Sequence, residues 1–580
     1  MIIKKNSNDN IIVKWFNKLF NKNLFTKILI FVVIFSSIAV FFTSYGIFLH
    51  RNRKIQNIVH LVADFYETKL NFIPNYLSSL NVESKPIIID IKFKHLNRIN
   101  ELVNLSSKRG FIYEDVKLDE FPAKLTYDNN TYRVKVSLTG LFLDHIKSDK
   151  HSLNVEVKDG LTIMGMSKFK LLIPSTRGYL ADWIGHKLQQ SEGLIVPRFD
   201  FKEVRINGEN QGVFAIEEMY NTDLIENNNL RDGIIFKPNL TEITVLNQKK
   251  INLDPLLKKR VETLRSLWGS FINNEISAEK IFDIEKFAID YATTDLISGI
   301  HSKYLINLRY YYNPITNLIE PISREFGFMR NGYAITGQEK TRIFLKELNK
   351  STLLDESAVT FHKKIFNNKS LKKIYLKKLH EFSKKSYLDS FFSNINLEMH
   401  QKEKIIFKEN PFYSYPKRFI YENQKIIKEF LNPNEISVSA KIIFDNKTIV
   451  LDIFNKSILP IQLNHVKLND GSILYPFDHN VVESNELKEI NLKSNFLNNN
   501  TNFENIKFNF KILGSNTNYE QYVSKINNRL ISFNPATMSK SLLETDLVTI
   551  DYLNKNLKIR SGNYVVDQFY RIPKGYKLNV

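Results

Sequence analysis

Lys168 and Lys170 alternate with Phe169 and Leu171 in a short run of β pattern. Successive side chains of a strand leave opposite faces, so both ammonium groups leave the same one. Two cations on one face can meet phosphate oxygens, or they can be a solvated surface; the residues leave both readings open. The common catalytic signatures are missing. There is no G-x-S-x-G nucleophile turn, no H-E-x-x-H zinc helix, no G-x-x-x-x-G-K-[ST] phosphate loop, and no typical H-R-D or D-F-G. The absence of cysteine excludes disulfides, thiolate metal sites and a Cys nucleophile. A formal charge of +20 can attract phosphates, anionic lipid or acidic protein. The lysines are spread along the whole chain, however, with no nucleic-acid motif or basic-aromatic cluster, so nucleic acid is not an expected partner.

The elements around these lysines read as mixed helix and strand. Pro86 to Lys94 reads as a strand, residues 95–105 are helical, and Ala123–Tyr127 and Tyr132–Thr139 flank an Asp128-Asn129-Asn130 turn. Ser152–Lys158 and Lys168–Ile173 continue the sheet across Asp159-Gly160. Pro174-Ser175-Thr176 opens a helix whose Leu180, Trp183, Ile184 and Leu188 share one apolar face, with Gly193 as its stop. Asn207-Gly208 between Phe199–Ile206 and Val213–Glu218 is a strong hairpin signal. Residues 255–300 and 339–430 are mainly helical, with a third hairpin at Leu308–Tyr312 and Leu318–Ile322 between them. From Ile436 short alternating runs separated by Asp-Asn, Asn-Lys and Asp-Gly turns suggest a small β-sandwich.

Ile28 through Leu49 carry no formal charge. About 20 apolar residues cover a hydrocarbon core of ~30 Å, and the run is longer than the apolar region of a cleaved signal peptide. It reads as an uncleaved anchor spanning the membrane once. The preceding tail holds Lys4, Lys5, Lys14, Lys18, Lys22 and Lys27 against Asp9, while Arg51, Arg53 and Lys54 follow the span. The positive-inside rule leans toward the tail inside and the body outside the cytoplasm.

From about residue 136 to 327 the order and spacing of motifs resemble the spore coat protein H (CotH) kinase-like family. The matching residues are Gly165 to Leu171, then Pro174 and Arg177, and Gly193 to Arg198. The hairpin follows, with Val204 to Gly208 and Gly212 to Glu218, then Gly233 to Lys237. His301, Asn307, Tyr310 to Pro314 and Glu320 to Ile322 complete the pattern. The most specific part is the Asn-Gly turn followed by Gly212-Val213 and Glu217-Glu218.

The resemblance implies an atypical protein-kinase-like fold and transfer of a phosphoryl group from ATP, with Mg²⁺ or Mn²⁺, to protein serines. Such chemistry needs cations on phosphate oxygens, a carboxylate on metal and a group that positions the hydroxyl. By the same resemblance Lys168 or Lys170 meets phosphate, Glu218 holds that lysine, and Asn307 with Glu325 holds metal. Cap or loop hydrogen bonds are the alternative roles of Glu218 and Asn307. Glu325 stands where the family has aspartate, one methylene longer. The aspartate expected upstream of Asn307 is missing: Asp295 lies a helical turn or more too early, and His301 is near the position, as a general base or as a hydrogen-bonded core residue.

The expected architecture is α+β: a basic tail 1–27, a transmembrane helix 28–49, a helical stalk 50–85, a CotH-like core 86–335, a helical extension 336–432 and a β-sandwich-like domain 436–580. Expected partners are the lipid bilayer and a protein substrate or envelope partner. The alternatives to an envelope kinase are an assembly scaffold without turnover, and phosphoryl transfer to a glycan or lipid headgroup. An outward-facing body would also meet little ATP.

Overall fold

A computed structural model describes residues 72–82, 85–146, 150–326, 343–350, 354–433, 436–445, 448–477, 480–493, 505–523, 547–552 and 554–560, with shorter pieces at 32, 35–36, 329–330, 333–334, 540–541, 570–571 and 575–579. The expected membrane span 28–49 lies outside these residues except for Val32, Phe35 and Ser36, which are helical; Ser36 Oγ donates to the Val32 carbonyl at 2.7 Å. Among the described residues no helix is long and apolar enough to cross a membrane. Of the expected stalk only its end is described, a helix at Phe72–Leu80.

The chain divides into two compact units. In the first, seven strands close a barrel among the described residues: β1 (Ile87–Ile91), β2 (Phe121–Tyr127), β3 (Asn130–Leu138), β4 (Leu153–Val157), β5 (Lys168–Leu172), β6 (Phe199–Ile206) and β7 (Glu209–Glu218), in the order β1-β2-β3-β4-β5-β7-β6. The ring closes through a parallel pairing of β1 with β6, Ile87 opposite Val204. Closure matters because it leaves no strand edge unpaired. Asn207 secures it: its side chain accepts from the Ile91 N–H at 2.7 Å and donates to the Ile91 carbonyl at 2.9 Å. Asn207 and Gly208 reach this position with φ of 51° and 87°, the left-handed pair that a tight hairpin needs. Alternation fills the barrel with Ile87, Ile89, Leu125, Val136, Phe169 and Leu171. The helix α1 (Phe93–Arg109) adds Ile99, Leu102 and Val103 to the same core.

The expected helix opening at Pro174 is instead a single 3₁₀ turn, Pro174–Arg177, ended by Gly178 at φ 61°. The helix proper, α2, is Leu180–Ser191, and its expected apolar face of Leu180, Trp183, Ile184 and Leu188 is buried.

The second unit holds a sheet of order β11-β10-β8-β9, from β8 (Ile234–Pro238), β9 (Ile243–Val245), β10 (Tyr310–Tyr312) and β11 (Ile319–Pro321). The helix α3 (Pro255–Ile272) sets Trp268 against Phe236. The helix α4 (Ile284–Ile297) is capped by Asp283, whose side chain accepts from Lys286 N–H, and is buried from Phe287 to its end. The helices Glu356–Phe366, Lys369–Phe382 and Arg418–Leu431 follow. Strands from Val438–Asp445 to Asn518–Tyr522 form one further sheet whose Leu451, Ile461, Leu463, Phe508 and Phe510 share a core. Among the described residues the last strand of this sheet in chain order is Asn518–Tyr522, and Val548–Asp551, Asn556–Ile559 and Lys577–Asn579 form a small sheet of their own around Val548 and Leu557.

Candidate functional site

In the barrel, β5 holds its two lysines on the face opposite Phe169 and Leu171. Register decides their partners. Glu156 lies opposite Lys168 and Glu217 opposite Lys170. Lys168 Nζ is 3.3 Å from Glu156, and Lys170 Nζ donates to Glu217 at 2.6 Å. Burial alone would push Glu156 up, but Lys158 and Lys168 hold it down at about 2. Glu217 also accepts from Arg177 Nε at 2.8 Å, and Arg177 Nε lies 3.4 Å from Asp182. Lys170, Arg177, Glu217 and Asp182 thus form a buried network of balanced charge.

The expectation that Glu218 holds a strand lysine is corrected here. Glu218 stands opposite Phe169, on the other face of β7. There it pairs with Arg198, which binds it through Nε, Nη2 and its backbone N–H. The lysine's carboxylate is the adjacent Glu217, because a one-residue step along a strand changes faces.

The second unit gathers the other expected residues around the turns that flank β10 and β11. His301 lies in the 3₁₀ turn Ile300–Lys303. Asn307 Nδ2 donates to the His301 carbonyl at 2.9 Å, which leaves Oδ1 as the acceptor end of its amide. Glu325 Oε2 is 3.8 Å from His301 Nε2. So His301, Asn307 and Glu325, distant in sequence pattern, are neighbours in space. Glu325 has φ of 43°. A long side chain in the left-handed region costs on the order of 1–3 kcal/mol, and such residues concentrate where function over-determines the backbone. Its carboxylate turns back onto Arg324, accepting at Oε1 from Nε at 3.0 Å and Nη2 at 2.8 Å.

Asp295 does not join this group. It is buried in the helical core, accepting from Tyr375 Oη at 2.5 Å and Phe344 N–H at 2.9 Å. Burial raises its pKa to about 7 against the pull of those two donors and Lys303. The carboxylate that does reach the site is Asp290, on the same helix. It accepts from Lys303 Nζ at 2.6 Å and Gln189 Nε2 at 2.9 Å. A small cavity is lined by Asp290, Ser302, Lys303, Asn307, Arg309 and Arg324 among others. Arg309 and Arg324 both lie over Tyr220, with guanidinium carbons 5.6 and 5.4 Å from the ring centroid.

Sequence reasoning missed Asp290, Lys303, Arg309 and Arg324. The only cue was adjacency: Arg324 precedes Glu325, and Arg309 follows Asn307 by two. Two glycines seat the turn that carries Arg324 and Glu325. A Cβ on Gly185 would come 2.2 Å from the Phe326 ring, and one on Gly299 would come 2.8 Å from it.

These donors do not suit a divalent metal. Hard cations need several free oxygen ligands, yet Asp290 is engaged by Lys303 and Gln189 and Glu325 by Arg324. Among the described residues no group of three or more His, Cys, Asp or Glu is placed to hold a metal ion. The expected metal role of Asn307 and Glu325 is therefore not supported by their arrangement, because the guanidinium already occupies the carboxylate. What the group can do is place cations on anionic oxygens and hold an imidazole beside a carboxylate.

Comparison with known families matches residues 144–435, half of the chain, to the model described as CotH kinase protein. No curated protein matches the chain.

Proposed function

The chain belongs to the CotH kinase protein family, and from that premise we propose that it is a membrane-anchored atypical kinase that moves a phosphoryl group from ATP to serine hydroxyls of envelope or surface proteins. The observation that carries this reading is that Asn307, Arg309 and Arg324 line one cavity, while His301, whose carbonyl accepts from Asn307, lies 3.8 Å from Glu325. Phosphoryl transfer asks little covalent chemistry of the protein; it asks for aligned oxygens and positioned positive charge. Arg309 and Arg324 take phosphate oxygens. His301 Nε2 accepts the serine proton as the serine oxygen bonds phosphorus and the bond to the ADP oxygen breaks. Glu325, beside that imidazole, stabilises the charge it gains. No step runs through a metal ion.

The anchor is the uncharged run 28–49, with the body outside the cytoplasm. Protease added to intact cells should remove the body and spare the basic tail. A body that survives until the membrane is opened would reverse the orientation.

A second reading is favoured by one observation: Asp290 in the cavity and Glu325 next to Arg324 are both already paired with cations. On that reading the chain is an envelope scaffold that kept the fold and lost turnover. Incubating the full chain in detergent with ATP labelled at the γ-phosphate, alone and with an envelope extract, separates the two. Label on serine supports the kinase. Absence of transfer with intact folding leaves the scaffold.

A further inference from the structure

We propose that the solvent face of the C-terminal sheet around the strand Ile473–Pro476 docks on an anionic lipid surface, with Ile473, Tyr475 and Phe477 entering the interface and Lys467 and Lys493 meeting the headgroups. This rests on the proposed function only for its membrane anchor, which keeps a bilayer within reach of the body; it needs no phosphoryl transfer.

An antiparallel sheet with one face on a core and the other in water alternates apolar and polar residues. The strand Ile473–Pro476 breaks that rule. Leu474 is buried in the core beneath the sheet. Its neighbours Ile473 and Tyr475 leave the opposite face, yet they too are large and mainly apolar, and they are 43 % and 55 % exposed. Phe477 continues the stripe just past the strand, 53 % exposed, where its N–H donates to the Asn491 carbonyl at 2.9 Å. An exposed apolar residue on its own is ordinary, but a contiguous row on one face marks a contact surface.

The flanks of the stripe select its partner. Register sets Lys467 opposite Ile473 on one side and Lys493 opposite Tyr475 on the other. Lys493 Nζ stands 4.4 Å from the centre of the Phe477 ring, and the His465 ring is 6.2 Å from that of Tyr475. Both lysines are exposed, and among the described residues neither has a carboxylate at ion-pair distance. One strand farther out Lys507 lies opposite Lys467, a like-charge pairing that costs stability in water. Glu520 pairs with Lys507 at 2.9 Å, and the turn carboxylate of Asp470 accepts from Ser472, so the row of Lys493, Lys467 and Lys507 keeps a surplus of positive charge. An acidic polymer would use the lysines and leave Ile473 and Phe477 in water. A second copy of the chain would cover the stripe but bring the same lysines against these. An anionic bilayer answers both features: aromatic and aliphatic side chains settle at headgroup level, while the lysine stems carry their ammonium groups to the phosphates.

The chain has no cysteine, so Asn469→Cys, in the exposed turn before Ile473, carries a single environment-sensitive fluorophore. The labelled full chain is placed in nanodiscs of phosphatidylcholine, and separately in nanodiscs that also contain phosphatidylglycerol. The expected result is a blue shift, with quenching by nitroxide-bearing lipid, in the anionic discs alone, and its reversal as salt rises. Lys467→Gln and Lys493→Gln each lower the docked-to-undocked ratio by on the order of fivefold, the worth of one lysine near an anionic surface. Tyr475→Ser with Phe477→Ser abolishes the shift. A chain retained by both kinds of disc whose label stays in water overturns the docking and leaves the anchor standing. Retention by anionic discs alone, lost in the variant lacking both lysines, supports the docking and removes the anchor. Retention by neither removes both. A shift of equal size in neutral discs, or one that arises only on adding an acidic polysaccharide or single-stranded RNA, gives the face to another partner and overturns the inference. The comparison of the two lipids on the labelled chain stands even if a further variant fails to fold.

Discussion

Arg324 lays its guanidinium on the carboxylate of its own neighbour, Nε 3.0 Å and Nη2 2.8 Å from the same oxygen of Glu325. Adjacent residues of ordinary extended backbone point apart; these meet because Glu325 is left-handed. The other carboxylate oxygen is 3.8 Å from His301 Nε2. One side chain therefore tethers the Arg324 guanidinium and faces the His301 imidazole.

If His301 takes the hydroxyl proton, His301→Gln should lower the rate of phosphoryl transfer by about 10²–10⁴, the usual worth of a general base. ATP affinity should be unchanged, since the arginines remain. Label transfer and calorimetry on the same preparation check the two arms. A full-rate variant would return His301 to the role of a hydrogen-bonded structural residue.

The partner assignment in the barrel predicts a stability pattern. Glu217→Gln leaves Lys170 and Arg177 buried beside each other, with side-chain exposures of 12 % and 9 %. Breaking a buried pair in this way costs about 3–5 kcal/mol, read as a shift in denaturant midpoint. A double-mutant cycle between Lys170 and Glu217 should show strong coupling. The cycle between Lys170 and Glu218 should be additive to within about 0.5 kcal/mol.

Two buried groups oppose each other in their pH dependence. Burial lifts Asp295 to about 7, so the folded state holds its proton where the unfolded chain does not. The stability this group contributes is complete below the ordinary carboxylate value of about 4 and is lost as pH rises through 7. Burial lowers His362 to about 3, between Tyr291 Oη and the Lys303 carbonyl. Its contribution is present above the ordinary histidine value of about 6.5 and is lost as pH falls toward 3. Asp295→Asn should therefore remove the falling slope and leave that of His362, so that stability rises more steeply between about pH 4 and 6.5 than in the parent. His362→Gln should uncover the reverse slope, stability falling from pH 4 to 7. Urea unfolding at a series of pH values measures both slopes.

Gly185→Ala should disturb the site from a distance. The added methyl group would meet the Phe326 ring at 2.2 Å, and overpacking costs about 1–3 kcal/mol. Phe326 follows Glu325 directly, so its displacement moves the Arg324–Glu325 turn and weakens ATP binding. Gly269→Ala in α3 is the control: nothing lies within 4 Å of its Cβ position, and the substitution should be neutral or mildly stabilising.

The sequence alone was enough to place the barrel hairpins, the Asn207-Gly208 turn, the apolar face of α2 and the family, because period and turn chemistry depend on neighbours along the chain. It also supplied His301, Asn307 and Glu325 as a group, through motif order. Tertiary structure alone decided three other things. The barrel closes through Asn207 and Ile91, 116 residues apart. Lys170 takes Glu217 because strand register, set by pairing across the sheet, chooses which of two adjacent glutamates shares its face. Asp290 reaches the cavity and Asp295 the core because α4 is packed on all sides, so its sequence pattern has no polar face to mark which carboxylate is functional. Ion pairing is a property of distance in space, and charges far apart in the chain acquire partners only when the elements between them are packed.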